Sequence, residues 1–272
     1  MRNSQAVASM KKLVTKVKKG LFALALIATS SSPALASYDL SNETLVVSVS
    51  VAPPFVSIKG DFHQPDGIDI ALIKELQRRT GFKTYGDELG MMTFNDMIES
   101  GRNGHSDIIA GAISATPERR MEYSVTEPYV YNSVCIVTRK GDNIESLDDL
   151  NNRTFAYQIG TNISALTNVS KNMKLYETSS TFMTFYAVAR GHADALVVDE
   201  IIAREYIAKW PEANLQVAAK LPGSETGIAL FFKKDSPRSK ILQKAYQEMM
   251  DDGTIDSIVK DGLSQYFADF VY

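Results

Sequence analysis

The stretch Asp107-Ile-Ile-Ala-Gly-Ala-Ile-Ser-Ala-Thr-Pro-Glu-Arg-Arg120 carries the strongest structural signal in the chain. Its apolar first half predicts a buried strand, and the small residues within it let a ligand approach backbone groups closely. Thr116 and Pro117 suit the cap and the first turn of a helix. A helix N-terminus favours an anion, and Arg119 can donate two hydrogen bonds to one carboxylate. The stretch therefore predicts a carboxylate-binding group at a strand end, with an ordinary strand, turn and solvated arginine as the alternative.

The first 36 residues have the pattern of a secretory signal peptide. Six basic residues and no acidic one precede an apolar segment, residues 21–27, that is too short to span a bilayer. Ala34-Leu-Ala36 follows as a cleavage site, so we expect cleavage after Ala36. No cysteine lies near this site, which argues against a lipid anchor. We therefore expect an unanchored protein in the periplasm of a bacterium with two membranes.

Charge and side-chain chemistry exclude several classes of function. The chain has 29 basic and 32 acidic residues, and without the leader 23 and 32 remain, a net charge of about −9. Such a surface argues against nucleic acid or an anionic membrane as a partner. Cys135 is the only cysteine and lies in an apolar strand pattern, as a buried thiol would. His63, His105 and His192 lack metal-ligand spacing, so the sequence predicts no metal. No cofactor and no catalytic residue are predicted either, because the sequence shows no dedicated acid–base pair.

Beyond the leader, about 236 residues alternate between strand and helix patterns, which predicts an α/β fold with parallel sheets covered by helices. The patterns form two blocks of about 90 residues, and the later part returns to the first block. The chain would cross between the blocks near residues 128–133 and 221–227. The predicted strands are 45–51, 107–113, 134–138, 153–158, 193–198 and 227–232, and the predicted helices are 70–79, 94–99, a short one from 146, one from 160, 181–190, 237–250 and 254–260.

Six motifs span nearly all of the mature chain, and they are Ala52-Pro-Pro-Phe55, Gly67-Ile-Asp-Ile-Ala-Leu72, Ile113-Ser-Ala-Thr-Pro-Glu-Arg119, Gly160-Thr161, Gly191-His-Ala-Asp-Ala-Leu-Val-Val-Asp199 and Asp252-Gly-Thr254. With these motifs the chain resembles the periplasmic solute-binding proteins of polar amino acid uptake by ABC transporters (solute-binding protein family 3). This family includes the lysine/arginine/ornithine-, glutamine-, cystine- and arginine-binding proteins.

The resemblance implies a two-lobed periplasmic-binding-protein fold of type II. Each lobe would be a mostly parallel sheet flanked by helices, and two hinge crossings would join the lobes. We expect residues 1–36 to be the signal peptide, residues 37–130 with 225–272 to form lobe 1, and residues 131–224 to form lobe 2. A fold of this kind closes like a hinge on a small molecule.

Position by position, the resemblance also implies a site for an α-amino acid. Arg119 corresponds to the arginine that binds the ligand α-carboxylate, with Ser114 and Thr161 as supports, Thr161 from a helix N-terminus. Asp199 corresponds to the acid that pairs with the α-ammonium, assisted by the backbone carbonyl of Ala112. Arg119 and Asp199 fall in different lobes, so only a closed form would satisfy both ends of a zwitterion. As an alternative, Asp199 is a helix cap.

The expected pocket for the ligand side chain departs from the family pattern. Phe94 matches an aromatic residue that packs on the ligand side chain, and Gly111 replaces a common serine. Binders of basic amino acids place an acid and often an aromatic residue at the positions of Val49 and Ala52. Val198 is apolar where a glutamine binder has a polar group.

A lysine or arginine side chain would thus be buried without a partner, at high cost, unless Asp87 or Glu88 reaches the pocket. We therefore expect a neutral or partly apolar amino acid, or a bulky one such as cystine. The predicted function is capture of that amino acid by a monomer and delivery to an inner-membrane ABC permease. The alternatives are an enzyme that resembles cyclohexadienyl dehydratases on the same scaffold, or a sensory module.

Overall fold

The computed structural model describes residues 39–60, 64–146, 148–161 and 172–264. The predicted signal peptide, His63 and the predicted helix after Thr161 lie outside these residues. The strands are β1 (Thr44–Leu45), β2 (Val47–Val49), β3 (Ser57–Ile58), β4 (Pro65–Asp66), β5 (Lys83–Thr84), β6 (Gly90–Met91), β7 (Ile108–Ser114), β8 (Ser124–Val125), β9 (Val130–Asn132), β10 (Val134–Arg139), β11 (Thr154–Gln158), β12 (Lys174–Thr178), β13 (Ala195–Asp199), β14 (Leu215–Lys220) and β15 (Thr226–Phe232).

Capping chemistry marks several of the helix ends. Thr93 and Thr116 each accept a backbone N–H with the side-chain oxygen, as N-caps do. Gly81 ends the first helix in the left-handed conformation, at φ 79°, and its N–H donates to the Gln77 carbonyl. The helices are α1 (Ile68–Thr80), α2 (Phe94–Arg102), α3 (Pro117–Glu122), α4 (Thr181–Ala189), α5 (Glu200–Lys209), α6 (Pro237–Asp251) and α7 (Thr254–Leu263).

Two sheets of the same topology organise the described residues. The first has the order β6-β2-β7-β15-β8, with β9 also paired to β15, and the second has the order β12-β11-β13-β10-β14. Within each sheet every strand but one runs in the same direction. The exceptions are β15 and β10, which are the strands that the chain enters after leaving the other sheet. The α/β fold with two mostly parallel sheets is thus confirmed.

Helices cover both faces of the first sheet and, among the described residues, one face of the second. On the first sheet, α2 packs on one face, where Phe94 and Met97 meet Ile113 and Phe231. The other face belongs to the main core together with α1, α6 and α7. On the second sheet, α4 and α5 contact the central strands. In α/β sheets, ligands bind outside the carboxyl ends of the strands, so the ends of β7 and β13 are the expected place for a ligand.

Several element boundaries differ from the sequence predictions. The predicted strand 45–51 is broken at Val46, whose N–H donates to the Asp107 carboxylate, and it ends at Val49. The helix expected from Ser146 is a single 3-10 turn at Asp148–Leu150. The sequence analysis did not predict β12 and β14, because edge strands with mixed polarity lack a clear period. It offered α5 only through the alternative that Asp199 caps a helix.

Candidate functional site

A cavity of about 530 Å³ lies between the two sheets. All eight residues that the sequence analysis singled out for ligand contact line it. The first half of the molecule, which contains the first sheet, supplies Ala52, Phe94, Gly111, Ala112, Ser114 and Arg119. The second half, which contains the second sheet, supplies Thr161 and Asp199. The structure thus brings the predicted residues together, whereas their binding roles depend on the chemistry described below.

Arg119 lies in the first turn of α3, whose start is set by the Thr116 cap and Pro117. Its guanidinium donates to the Ser114 carbonyl at 3.0 Å and lies over the Phe94 ring, 5.7 Å from the centroid. Burial lowers the pKa of Arg119 below its usual range. Within the described residues, no carboxylate lies within 4 Å of this guanidinium. The remaining donors of the cation are therefore available to an anion in the cavity.

The wall beside Arg119 is a kinked part of β7. Gly111 has φ 154° and Ala112 has φ 56°, both unusual for a strand, and the pairing with β15 shifts register there. A side chain at Gly111 would lie 2.8 Å from the Ser50 carbonyl oxygen, so only glycine fits. Ser114 ends the strand, and the Thr226 hydroxyl lies 3.5 Å from its Oγ. This kink turns the Gly111 and Ala112 backbone toward the cavity.

Asp199 ends β13 and directly precedes α5. Its side chain makes no capping hydrogen bond to that helix, which argues against the helix-cap alternative. Instead it accepts a hydrogen bond from the Asn132 amide, and the Asn132 oxygen in turn accepts the Ile201 N–H. Burial raises the pKa of Asp199 to about 6, although the Asn132 bond and the Arg119 charge both oppose the shift. A cationic ligand group would favour the ionised form of this carboxyl.

The two halves touch beside the cavity. Gly160 has φ 87°, and a methyl group in place of its hydrogen would lie 2.9 Å from the Cα of Asn95 on α2. The neighbours of this contact, Phe94 and Thr161, both line the cavity. The Thr161 hydroxyl donates to the Gln158 carbonyl at 2.6 Å. The two halves are therefore in contact at this edge of the cavity.

The rest of the cavity wall is apolar or neutral. In the second half the lining includes Phe185, Leu196, Val197, Val198 and Ile202. Among the described lining residues, only Arg119 and Asp199 carry a charge.

Two predictions about the side-chain pocket are settled by geometry. Asp87 and Glu88 are exposed and are not among the lining residues, so neither supplies a charge to the cavity. Val49 is fully buried in the core and does not line the cavity, whereas Ala52 does. The comparison with basic-amino-acid binders therefore applies at Ala52 and not at Val49.

Sequence reasoning missed other lining residues. Gln158 ends β11, and its Oε1 accepts the Thr181 hydroxyl at 2.9 Å; both side chains are buried and line the cavity with Thr184. Gln158 stands two residues before the Gly160-Thr161 turn, a signal that could have found it. Thr181 and Thr184 reach the cavity only through the packing of α4, which local sequence does not reveal.

Comparison with known proteins identifies the class. The model of the bacterial extracellular solute-binding proteins, family 3, matches residues 45–264, and the chain belongs to this family. It is similar to a probable histidine-binding protein of Campylobacter jejuni, with 26% identity over 81% of this chain and 86% of the relative. It is also similar to the L-cystine-binding protein TcyJ of Escherichia coli K12, with 24% identity over 88% of this chain and 91% of the relative.

Solved structures give the same fold. An ancestral arginine-binding protein bound to glutamine superposes with a TM-score of 0.73 and 26% identity, covering 83% of this chain and 98% of that protein. Among the described helices, none has the length and apolarity needed to cross a membrane. The part of the chain that the structure describes also holds no cluster of three or more His, Cys, Asp or Glu suited to a metal ion.

Proposed function

We propose that the protein captures an α-amino acid with an uncharged side chain between its two halves and delivers it to an ABC-transporter permease. The observation that carries the proposal is the cavity between the sheets, whose described lining holds one cation, Arg119, and one anion, Asp199. A zwitterion needs this pair, and each of the two charges would be costly to bury without a partner.

The ligand carboxylate would bind at Arg119. The Ser114 carbonyl orients the guanidinium, and the Phe94 ring covers it from one side. Ser114 and Thr161 would add hydroxyl or backbone donors to the same carboxylate. Bidentate pairing between guanidinium and carboxylate combines affinity with a fixed orientation of the ligand.

The ligand ammonium would bind at Asp199, with the Ala112 carbonyl as a second acceptor. Because Arg119 belongs to the half with the first sheet and Asp199 to the other, a bound zwitterion would bridge the two halves. We propose residues 37–130 with 225–272 and residues 131–224 as the two moving lobes. A ligand that gains its second contact only on closure shifts the population toward the closed form.

The side chain of the ligand would face the neutral walls around Ala52, Val198 and Phe185. Among the described lining residues, a lysine or arginine side chain would find no anion besides Asp199, which the ammonium already occupies. Relatives carry names for different amino acids, so kinship supports the amino acid class and leaves the side chain to the pocket. The cavity volume of about 530 Å³ also admits a bulky neutral ligand such as cystine.

A binding role accounts for the site better than catalysis. A dehydratase would need an acid for the leaving hydroxyl, and the one carboxyl among the described lining residues, Asp199, is already used by the ammonium. We also propose that the mature chain, after signal-peptide cleavage behind Ala36, acts as a monomer in the periplasm.

The experiment is a thermal-shift screen of refolded, ligand-stripped mature protein against the twenty amino acids, ornithine and cystine. Ligand at a hundred times its Kd adds about 2.7 kcal/mol to the free energy of unfolding, enough for a clear rise in Tm. A rise with one or a few neutral α-amino acids is expected. A rise with arginine or lysine alone would contradict the assignment of the side-chain pocket, and no rise with any amino acid would contradict the function.

A further inference from the structure

We propose that Asp69 is a positioning residue that holds the Gly111–Ala112 backbone in its ligand-binding conformation. The inference rests on the proposed amino acid binding. Asp69 belongs to the Gly67-Ile-Asp motif, it does not line the cavity, and the site described above assigns it no role.

The backbone that needs support is the kink in β7. Gly111 and Ala112 have φ 154° and 56°, and Ala112 is not a glycine, so this conformation is strained. A left-handed alanine persists only where neighbouring groups hold it. Both residues line the cavity, so their position decides the shape of the wall that meets the ligand ammonium.

The Asp69 carboxylate supplies that support. Its Oδ2 accepts the Ala112 N–H at 3.0 Å, and the Gly111 N–H donates to the same carboxylate. The Tyr129 hydroxyl donates to Oδ1. With no exposed surface, the carboxylate thus has three donors from the two segments that it connects.

The backbone around Asp69 positions a second part of the wall. The Asp69 N–H donates to the Phe55 carbonyl at 3.0 Å, and the Ile68 N–H donates to the Pro54 carbonyl at 3.2 Å. Gly67 passes so close that a side chain there would lie 2.4 Å from the Phe55 oxygen. These contacts fix the turn that begins at Ala52, which also lines the cavity. One short motif thus holds two adjacent parts of the same wall.

Tyr129 connects the carboxylate to the first crossing. It lies between Pro128 and β9, its N–H donates to the Ile228 carbonyl, and its ring contacts Phe55. The ligand wall and the segment through which the chain leaves the first sheet therefore share one buried hydrogen-bonded group.

Burial alone does not favour an acid at position 69. It raises the pKa of this carboxyl to about 6 despite the three donors. An apolar side chain would avoid this cost but would leave the Gly111 and Ala112 N–H groups and the Tyr129 hydroxyl without an acceptor. The acid is therefore explained by the donors from which it accepts, two of which belong to the strained backbone.

The test uses three variants of the mature protein: Asp69→Ala, Asp69→Asn and Leu76→Ala. Asn keeps an acceptor for the Ala112 N–H, and its amide can donate to the Tyr129 oxygen, so it is expected to restore most of the function. Leu76 is fully buried on the same helix, and its truncation lowers Tm without touching the kink. Each protein is titrated calorimetrically with the twenty L-amino acids and L-cystine, and backbone amide exchange is measured without ligand.

We expect Asp69→Ala to weaken the tightest ligand at least tenfold and to speed amide exchange at Gly111 and Ala112. Asp69→Asn is expected to stay within about threefold of the wild type. Leu76→Ala should lower Tm and leave affinity unchanged. Wild-type affinity in Asp69→Ala would overturn the inference, as would an equal loss in Leu76→Ala. If the wild type bound none of these ligands, that result would contradict the proposed function and therefore also this inference.

Discussion

The two walls of the cavity hold their binding groups in different ways. On the first-sheet side, Arg119 follows a capped helix start and Ala112 is held by a buried carboxylate through backbone hydrogen bonds. On the second-sheet side, Asp199 depends on one side-chain amide, that of Asn132, which comes from the crossing between the halves. The first wall is thus held mainly by contacts within the first sheet and its helices, whereas the binding group of the second wall is held from the other half of the molecule. This difference suits a protein that receives the ligand on one half and closes the other over it.

The largest expected effect concerns the first wall, on the side of the first sheet. Arg119→Ala removes the only cation among the described lining residues and leaves the ligand carboxylate unpaired. Truncating one partner of a buried charged pair costs about 2–5 kcal/mol, so affinity should fall about 30-fold to several thousand-fold. Calorimetric titration measures the loss, and circular dichroism checks that the fold is intact.

The matched control is Arg120→Ala. Arg120 is the next residue of the same helix and is exposed, so its removal should leave affinity unchanged. Equal losses in the two variants would mean that the charge of the helix, and not a specific contact, attracts the ligand.

The wall with Asp199 should be more tolerant. Asp199→Asn keeps a polar group beside Asn132 and removes the charge that faces the ammonium. We expect a loss of about 10- to 100-fold, because a hydrogen bond to a charged group contributes about 1.5–3 kcal/mol. A loss of affinity larger than that of Arg119→Ala in the same titration would contradict the expectation that the second wall is the more tolerant one.

Protons should compete with the ligand at the same carboxyl. In the ligand-free protein the pKa of Asp199 is about 6, and an ammonium in contact would lower it, so binding releases a proton at acidic pH. Affinity should be constant above pH 7 and fall as pH drops through 6, by about tenfold between pH 7 and pH 5.

Because the pKa of Asp69 is also raised to about 6, the pH profile needs a control. Asp199→Asn should bind with much less pH dependence than the wild type. An unchanged pH profile in that variant would assign the titration to Asp69 or another group.

The smallest expected effect concerns the contact between the halves. Gly160→Ala places a methyl group 2.9 Å from the Asn95 Cα, so closure should be hindered and affinity should fall about three- to tenfold. Gly141 has a similar φ, 91°, with nothing within 4 Å of an added methyl group, so Gly141→Ala shares the backbone strain without the contact. Stopped-flow dissociation rates should rise in Gly160→Ala only. Equal rates in the two variants would show that strain, not closure, is responsible.

Much of this architecture is predictable from local sequence, for identifiable reasons. The Thr116-Pro117 start of α3 and the Gly81 end of α1 rest on capping chemistry that acts over a few residues. The motifs at Ser114 and Asp199 come at the carboxyl ends of β7 and β13, where ligands commonly bind in α/β sheets.

The remainder depends on packing that no local pattern encodes. Asn132 supports Asp199 from 67 residues away, and Tyr129 meets Asp69 across 60 residues. Val49 is buried in the core and does not line the cavity, a placement that its apolar strand pattern alone does not distinguish. Such placements follow from the tertiary fold, so the sequence predicted a set of residues that line one cavity and missed part of what supports them.

The central claim, that the ligand is an α-amino acid with an uncharged side chain, is tested most directly with isosteric pairs. Calorimetric titration of the stripped mature protein at pH 7.5 would compare arginine with citrulline, lysine with norleucine, and glutamate with glutamine. The account predicts that the neutral member binds more tightly in every pair that binds at all, because the described lining offers no further charge to a side chain. Tighter binding of arginine or lysine than of its neutral partner would contradict it.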